Sequence, residues 1–180
     1  MRVAEERTAS GGAGDAAAFR AVYRATLGDV YGYLLVHTGG NHAVAEDLTA
    51  ETYLHAARQY REGSPEAVTG AWLKTVAKRR LIDHWRREER LSRRAQRLGH
   101  ETLVNRQGHA DRETDRLAIY EALGRLPDDQ RLVLTLKHLD GLTVREIAEV
   151  MDRSPKAIET LLTRARKAFR ATFDPTGGES

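Results

Sequence analysis

The sequence contains no cysteine, and only 6% of its 180 residues are aromatic. The missing cysteines exclude disulfides, thiolate zinc sites, iron–sulfur clusters and cysteine nucleophiles. No apolar run reaches 18 residues, so no membrane-spanning helix is predicted. The N-terminal stretch lacks the apolar segment of a secretory signal. A mean hydropathy of −0.56 is typical of a soluble protein. We therefore expect a cytoplasmic protein with small cores.

Catalytic and metal-binding patterns are also missing. The seven histidines are scattered, with no HExxH motif and no His pair at i,i+4, and neither a P-loop nor a GxSxG motif occurs. Glu46, Asp47 and Glu51 form an acidic patch on one predicted helix. This spacing favours a protein-docking surface or a solvated face over a pair of catalytic carboxylates. We expect no catalytic residue, no metal and no cofactor.

No segment reads as a strand, and the apolar residues instead recur every three or four positions. The pattern predicts an all-α fold with two small helical domains joined by a flexible linker. The predicted order is a disordered tail at 1–14, a first domain at 15–97, a linker at 98–113, a second domain at 114–173 and a disordered tail at 174–180.

Three helices are predicted in the first domain. The first begins at Asp15 and stops at Gly39-Gly40-Asn41, and the second covers about His42 to Tyr60. The apolar positions of the second helix are Leu48, Tyr53, Leu54 and Ala57. The third helix covers about 68–97 and carries both tryptophans. Periodicity places Trp85 in the core and leaves Trp72 open between the core and a stacking role with single-stranded nucleic acid.

Two segments concentrate the positive charge. Residues 72–97 hold ten Lys/Arg and three acids, and residues 153–170 hold six Lys/Arg and one acid, on a chain whose net charge is only +3. Two basic segments on an otherwise acidic chain suggest two contacts with a polyanion. Two solvated helix faces are the alternative explanation.

A helix-turn-helix is the most specific local feature of the second domain. Thr143 and Glu146 fit a capping box, Asp152-Arg153 makes a short turn, and Ser154 caps a second helix with Pro155 at its first position. The apolar stripe of that second helix is Ile158, Leu161, Leu162, Ala165 and Phe169. The candidate DNA-contacting residues of the helix are Ser154, Lys156, Glu159, Thr160, Thr163, Arg164 and Lys167. Guanidinium, ammonium, hydroxyl and carboxylate groups of this kind read base edges and hold phosphates.

These residues admit three function classes. A nucleic-acid-binding protein with two separate contacts would use both basic segments. A stand-alone helix-turn-helix regulator would need no cationic face on residues 74–90 and would usually bind palindromic duplex as a dimer. An RNA-binding or structural helical protein would bind nucleic acid with an affinity set by salt alone.

Three segments, in this order and spacing, resemble a bacterial extracytoplasmic-function (ECF) RNA polymerase sigma factor. They are AEDLTAETYLHAARQY (45–60), AWLKTVAKRRLIDHWRREER (71–90) and LGRLPDDQRLVLTLKHLDGLTVREIAEVMDRSPKAIETLLTRARKAF (123–169). The resemblance implies a transcription initiation factor and not an enzyme. The first domain would be sigma region 2 and the second would be sigma region 4.

The resemblance also implies partners and sites. Asp47 and Glu51 would dock on the β′ clamp helices of core RNA polymerase, with Ala50 where the family often has Gln, and region 4 would meet the β flap. The loop 61–70 would take a flipped base of the −10 element. The helix starting at Ser154 would read the −35 element of promoter DNA, with Glu159 where many members have Lys or Arg. An anti-sigma factor is the expected regulator. The candidates for the −10 single strand are Trp72, Lys78, Arg79, Asp83, Arg86 and Arg87.

Overall fold

The computed structural model describes residues 5–62, 65–97 and 115–173. These residues form seven α-helices and one short 3₁₀ helix, with no strand among them. The predicted all-α fold is confirmed. The predicted linker 98–113 and tail 174–180 lie outside the described residues. The helices are α1 (Glu5–His37), α2 (His42–Arg61), the 3₁₀ helix (Pro65–Ala67), α3 (Gly70–Arg97), α4 (Asp115–Gly124), α5 (Asp128–His138), α6 (Val144–Met151) and α7 (Pro155–Phe173).

The start of α1 differs from the predicted one. The helix begins at Glu5, ten residues before Asp15, so residues 5–14 are helical where the sequence predicted a disordered tail. Once a helix is nucleated, each added residue contributes one backbone hydrogen bond, and alanine has the highest helix propensity. The alanine-rich stretch before Phe19 therefore extends the helix although it contains glycines.

Glycines in the left-handed conformation follow two of the helices. Gly39 and Gly40 after α1 have φ of +65° and +80°, and Gly141 after α5 has φ of +68°. Side chains with a Cβ avoid this conformation, which is why glycine commonly ends helices. The helix α1 ends at His37, just before the Gly39-Gly40-Asn41 stop that the sequence predicted.

The described residues group into two compact units whose boundaries fall inside α1 and α3. The first unit takes in the described part of Met1–Leu34 together with Glu46–Arg80. Its core is formed by Val30, Leu34, Leu48, Tyr53, Val68, Leu73 and Val76. An edge-to-face contact between aromatic rings links α1 to α2 within this unit. The ring centroids of Tyr23 and Tyr53 are 4.7 Å apart. The Tyr53 hydroxyl also lies 2.8 Å from the Thr26 hydroxyl.

The second unit takes in Leu35–Ala45 together with the described part of Leu81–Ser180. In it α7 packs against α4, α5 and α6. Trp85 is buried in this unit, which confirms its predicted core position. The other large buried apolar residues of this unit are Leu81, Leu123, Leu126, Leu132, Val133, Leu134, Leu136, Ile147, Met151, Ile158, Leu161 and Leu162. No helix of the described residues is both long and apolar enough to cross a membrane.

Candidate nucleic-acid interface

The position of α7 is fixed at its start by capping. The Ala157 amide donates to the Ser154 hydroxyl over 3.3 Å, and Pro155 is the first helical residue. At the start of α6 both hydrogen bonds of the predicted capping box are present. The Thr143 amide donates to the Glu146 carboxylate over 2.7 Å, and the Glu146 amide donates to the Thr143 hydroxyl over 3.3 Å. Caps satisfy amides that the helix cannot use itself, so both helices of the motif begin where the sequence predicts.

One side of α7 is buried and the other faces solvent. Ile158 and Ala165 are fully buried, Leu161 and Leu162 are buried, and Phe169 is half-buried, as the apolar stripe predicts. We name the exposed set the reading surface. Its members are all exposed: Ser154, Lys156, Glu159, Thr160, Thr163, Arg164 and Lys167. Their orientation away from the core therefore matches the prediction, and their contact with DNA stays a prediction.

The Lys and Arg side chains of the reading surface have no partner among the described residues, whereas its threonine hydroxyls do. Within the described residues the side chains of Lys156, Arg164 and Lys167 make no hydrogen bond or ion pair. The Thr160 and Thr163 hydroxyls donate to the carbonyl oxygens of Lys156 and Glu159 over 3.0 Å and 2.9 Å. The cations can therefore bind an anion without first breaking a contact inside the protein.

The turn between α6 and α7 is built by two residues. Asp152 ends α6 with a φ of 50°, a left-handed conformation that Asp tolerates better than most residues. Arg153 forms ion pairs with Glu89 at 2.8 Å and with Asp129 at 3.2 Å. Burial lowers the pKa of Arg153, but the hydrogen bonds and charges of Glu89 and Asp129 outweigh it and raise that pKa above its usual value. Sequence reasoning placed Arg153 in this turn and counted its charge, but did not identify Glu89 and Asp129 as its partners.

The candidate single-strand residues lie on α3, and we describe them unit by unit. In the first unit Arg79 is exposed, Lys78 is half-buried, and Trp72 is half-buried. The Trp72 ring stacks on His55, with centroids 5.5 Å apart and planes 9° apart. The half-buried Trp72 is thus partly covered by protein and partly accessible. His55 was missed because nothing in its sequence context distinguishes it from a surface histidine.

In the second unit Asp83, Arg86 and Arg87 are exposed. Arg86 is already engaged, because its Nε donates to the Val150 carbonyl over 3.0 Å and its Nη2 to the Glu149 carbonyl over 3.2 Å. These carbonyls belong to the last turn of α6, where helix carbonyls lack partners inside the helix and a cation is favoured. We call Lys78, Arg79, Asp83, Arg86 and Arg87 the cationic face of α3.

The acidic patch on α2 is accessible. Asp47 and Glu51, one turn apart, are both exposed. Leu54 lies near them and is 60% exposed, unlike Leu48 and Tyr53 among the apolar residues of this helix, which are buried. Successive helical residues point about 100° apart, and the buried face follows Leu48, Thr52 and Ala56 instead. Leu54 therefore adds an apolar side chain to the acidic surface.

An apolar groove opens on the second unit, with a volume of about 510 Å³. Ile119, Tyr120, Leu134 and Phe169 line it, and Arg166 and Arg170 lie at its edge among other residues. Sequence reasoning did not find this groove, because its walls come from α4, α5 and α7 together. Among the described residues no group of three His, Cys, Asp or Glu side chains could hold a metal ion.

Comparison with known proteins settles the family. The family model described as Sigma-70 region 2 matches residues 22–91, and the one described as Sigma-70, region 4 matches residues 116–169. The ECF RNA polymerase sigma factor SigK of Mycolicibacterium vanbaalenii is 32% identical over 162 residues, which cover 87% of this chain and 81% of SigK. The chain belongs to the ECF sigma factor family.

A second relative in sequence and one solved structure are also similar to this sigma factor. It is 35% identical over 157 residues to the ECF RNA polymerase sigma factor BldN of Streptomyces coelicolor, and it spans 59% of the length of BldN. The sigma factor RpoE in complex with the anti-sigma factor NepR from Bartonella quintana aligns with a TM-score of 0.53 at 19% identity. That alignment covers 88% of this chain and 98% of the RpoE chain and shows a shared fold. The two matched regions favour a sigma factor over a stand-alone regulator.

Proposed function

We propose that this chain binds core RNA polymerase and directs it to promoters, with region 4 reading the −35 element and region 2 recognising and melting the −10 element. The observation that carries the proposal is the exposed reading surface, whose Lys and Arg side chains have no partner among the described residues, on a helix-turn-helix whose caps are complete. We further propose that the chain works in the cytoplasm, catalyses no reaction and uses no cofactor.

For the −35 element, α7 would lie in the major groove. The Arg164 guanidinium can bond a guanine edge with two hydrogen bonds, and the Glu159 carboxylate can accept from a cytosine amino group. Lys156 and Lys167 would hold phosphates, and Ser154 would offer its hydroxyl at the start of the helix. The exposure of all five side chains supports this assignment.

For the −10 element, the cationic face of α3 and Trp72 would hold the non-template strand. Stacking on an aromatic ring is worth about 1–3 kcal/mol per base, and cations track the phosphates. The half-buried Trp72 is compatible with this role. Its ring stacks on His55, which fixes its orientation, and part of the ring remains accessible to a base. The loop 61–70 would receive the flipped base.

For polymerase docking, α2 would bind the β′ clamp helices through Asp47 and Glu51. Exposed Leu54 supports this assignment, because interface cores combine apolar anchors with a charged rim. The apolar groove beside Phe169 is our candidate for the β flap. Because RpoE was solved with the anti-sigma factor NepR, an anti-sigma factor is also proposed as a partner of this chain.

The deciding experiment mixes the purified chain with bacterial core RNA polymerase and tests co-elution, then transcription from a promoter library. We expect co-elution and transcripts that share two promoter elements. Binding to duplex DNA without co-elution would instead support a stand-alone regulator.

Asp47→Lys tests the docking face. Reversing an exposed charge in a complementary interface places like charges together, so co-elution with core polymerase should fall strongly while duplex binding is unchanged. Asp29→Lys is the matched control, because Asp29 is exposed on α1 and outside the acidic patch. Equal losses in both variants, or a parallel loss of duplex binding, would count against the docking role.

A further inference from the structure

We propose that His55 is a positioning residue for base stacking. Its imidazole, the Trp72 indole and one base of the −10 non-template strand form three parallel layers, and the imidazole holds the indole in the orientation that the base needs. This role deepens the proposed function and rests on it for the identity of the strand. The two protein layers both belong to the first compact unit.

The stack joins α2 to the start of α3. The ring centroids of His55 and Trp72 lie 5.5 Å apart, and their planes are inclined by 9°. Neither side chain forms a hydrogen bond or ion pair with another described residue, so the ring contact is the specific interaction that orients each of them. Stacked aromatic rings attract each other beyond the effect of the area that they bury. The imidazole therefore fixes the plane of the indole and covers one of its faces.

Trp72 differs from Trp85, the other tryptophan of α3. Trp85 is 7% exposed and lies in a core, whereas Trp72 is half-buried beside the buried residue Leu73. The Trp72 indole N–H has no acceptor among the described residues and is not one of their buried unpaired atoms. A buried indole N–H usually finds an acceptor in the protein. The indole N–H of Trp72 is thus open to a partner from outside the described residues.

The backbone of Trp72 is held as well as its ring. The Trp72 amide donates to the Thr69 hydroxyl over 3.2 Å, and the Leu73 amide donates to the Thr69 carbonyl over 2.9 Å. Thr69 therefore caps α3, and the fully buried Leu73 anchors the first turn of this helix to the core. Because backbone and ring plane are both fixed, a base that stacks on Trp72 meets a side chain that is already ordered, which favours binding.

A cation lies on the same line of α3 as Trp72. Arg79 follows seven residues later, which places it on the same helix face about 10 Å further along the axis. It is exposed, and its side chain has no hydrogen bond or ion pair to another described residue. Sites for single-stranded nucleic acid combine aromatic rings, on which bases stack, with cations that hold phosphates. Trp72 and Arg79 provide this combination, and His55 supports its aromatic part.

Substitutions of His55 separate orientation of the ring from simple packing. His55→Leu and His55→Met keep an apolar side chain against Trp72 but remove the planar ring, whereas His55→Phe keeps a planar ring. A residue that only fills space would tolerate all three changes, and a positioning residue should tolerate only phenylalanine. His84→Leu is the matched control, because His84 is also half-buried and has no ring contact with another described residue.

The readout is base stacking in the holoenzyme formed with core polymerase. The probe is a −10 non-template oligonucleotide from a promoter that the library identifies, with 2-aminopurine placed at one position at a time. The fluorescence of this base is quenched when it stacks on an aromatic ring. In the parent we expect one position whose quenching disappears in Trp72→Ala. The same quenching should be reduced in His55→Leu and His55→Met and kept in His55→Phe and His84→Leu.

Affinity for the unmodified oligonucleotide is the second measurement. Trp72→Ala should bind about fivefold or more weakly than the parent, and an abasic site at the quenched position should then cause no further loss. His55→Leu and His55→Met should each bind about two- to tenfold more weakly, and His55→Phe should bind like the parent. Melting curves of the same proteins show whether each variant is folded.

The outcomes that contradict the role of His55 differ from those that contradict the proposed function. Quenching and affinity like the parent's in both His55→Leu and His55→Met, or an equal loss in His84→Leu, would overturn the positioning role. Quenching that Trp72→Ala leaves unchanged would overturn it too, while binding of the strand by the cations would leave the proposed function standing. A chain that does not bind core polymerase, or a holoenzyme that does not bind the oligonucleotide, would refute the proposed function and the positioning role together.

Discussion

The cationic face of α3 and the reading surface of α7 both carry cationic side chains. They differ in whether those side chains already have hydrogen-bond partners within the protein. On α7 the side chains of Lys156, Arg164 and Lys167 make no hydrogen bond or ion pair in the described part of the chain. On α3 the Arg86 side chain caps α6. The surface that we propose to read duplex is thus free of protein contacts at its cations, whereas on the surface that we propose to hold the melted strand Arg86 is engaged by α6.

The difference has a physical basis. Duplex DNA presents its groove continuously, so a preformed surface binds without reorganisation. In the proposed function single-stranded promoter DNA exists only after melting, and Arg86 would have to leave the α6 carbonyls to contact it. Net positive charge alone would not distinguish the α3 surface from the α7 surface, since both segments are strongly basic.

The largest expected effect comes from removing the support of α7. Ile158 is fully buried beneath the reading surface, and truncating such a residue to alanine typically costs about 2–5 kcal/mol. Ile158→Ala should lower the free energy of unfolding by that amount, measured by denaturant titration. Leu139→Ala, at a residue 58% exposed, should change it by less than about 0.5 kcal/mol. A loss of similar size in both would mean that α7 is not held by its apolar stripe.

The next effect separates the two surfaces. Arg164→Ala should weaken binding to −35 duplex by about 1–3 kcal/mol and relax sequence preference at one position. Binding to the −10 strand should not change, because Arg164 is on α7. Arg125→Ala is the control, since Arg125, just after the end of α4, is exposed and among the described residues pairs only with Glu121, at 3.8 Å. Retained affinity with an unchanged preference in a binding-site selection would remove Arg164 from the site.

The smallest effect is expected on the cationic face. Arg79 is exposed and its side chain has no hydrogen bond or ion pair to another described residue. Losing one phosphate contact should reduce the slope of log K against log salt by about 0.7 for single-stranded DNA. Arg79→Ala should show this change with the −10 oligonucleotide, and exposed Arg24→Ala on α1 should not. A full salt slope in Arg79→Ala would show that this residue touches no phosphate.

Sequence reasoning succeeded where structure is local. The Thr143–Glu146 capping box, the end of α1 before Gly39 and the buried Ile158 all follow from neighbours within a few residues. Helix periodicity and cap chemistry act over this short range. The orientation of the reading surface could be predicted because it follows from helix periodicity. The roles of the surface residues in binding remain predictions.

It failed where partners are distant in sequence. The carbonyls that engage Arg86 are more than 60 residues away, and a carbonyl oxygen occurs at every residue, so no sequence signal marks them. The close approach of the Gly39 and Gly124 backbones could not be predicted either. A Cβ added at Gly124 would lie 2.5 Å from the Gly39 carbonyl oxygen, and no sequence signal links these two glycines. Leu54 is exposed although it is apolar, because it lies away from the helix face that Leu48, Thr52 and Ala56 bury.

The hydroxyls of Thr160 and Thr163 donate to carbonyls of their own helix. What these two side chains offer a base edge is therefore an acceptor lone pair and a methyl group, and the methyl group can meet the 5-methyl of thymine. In the proposed complex these threonines would distinguish thymine from uracil at the same position by hydrocarbon contact, and serine, with the same hydroxyl, would not replace them.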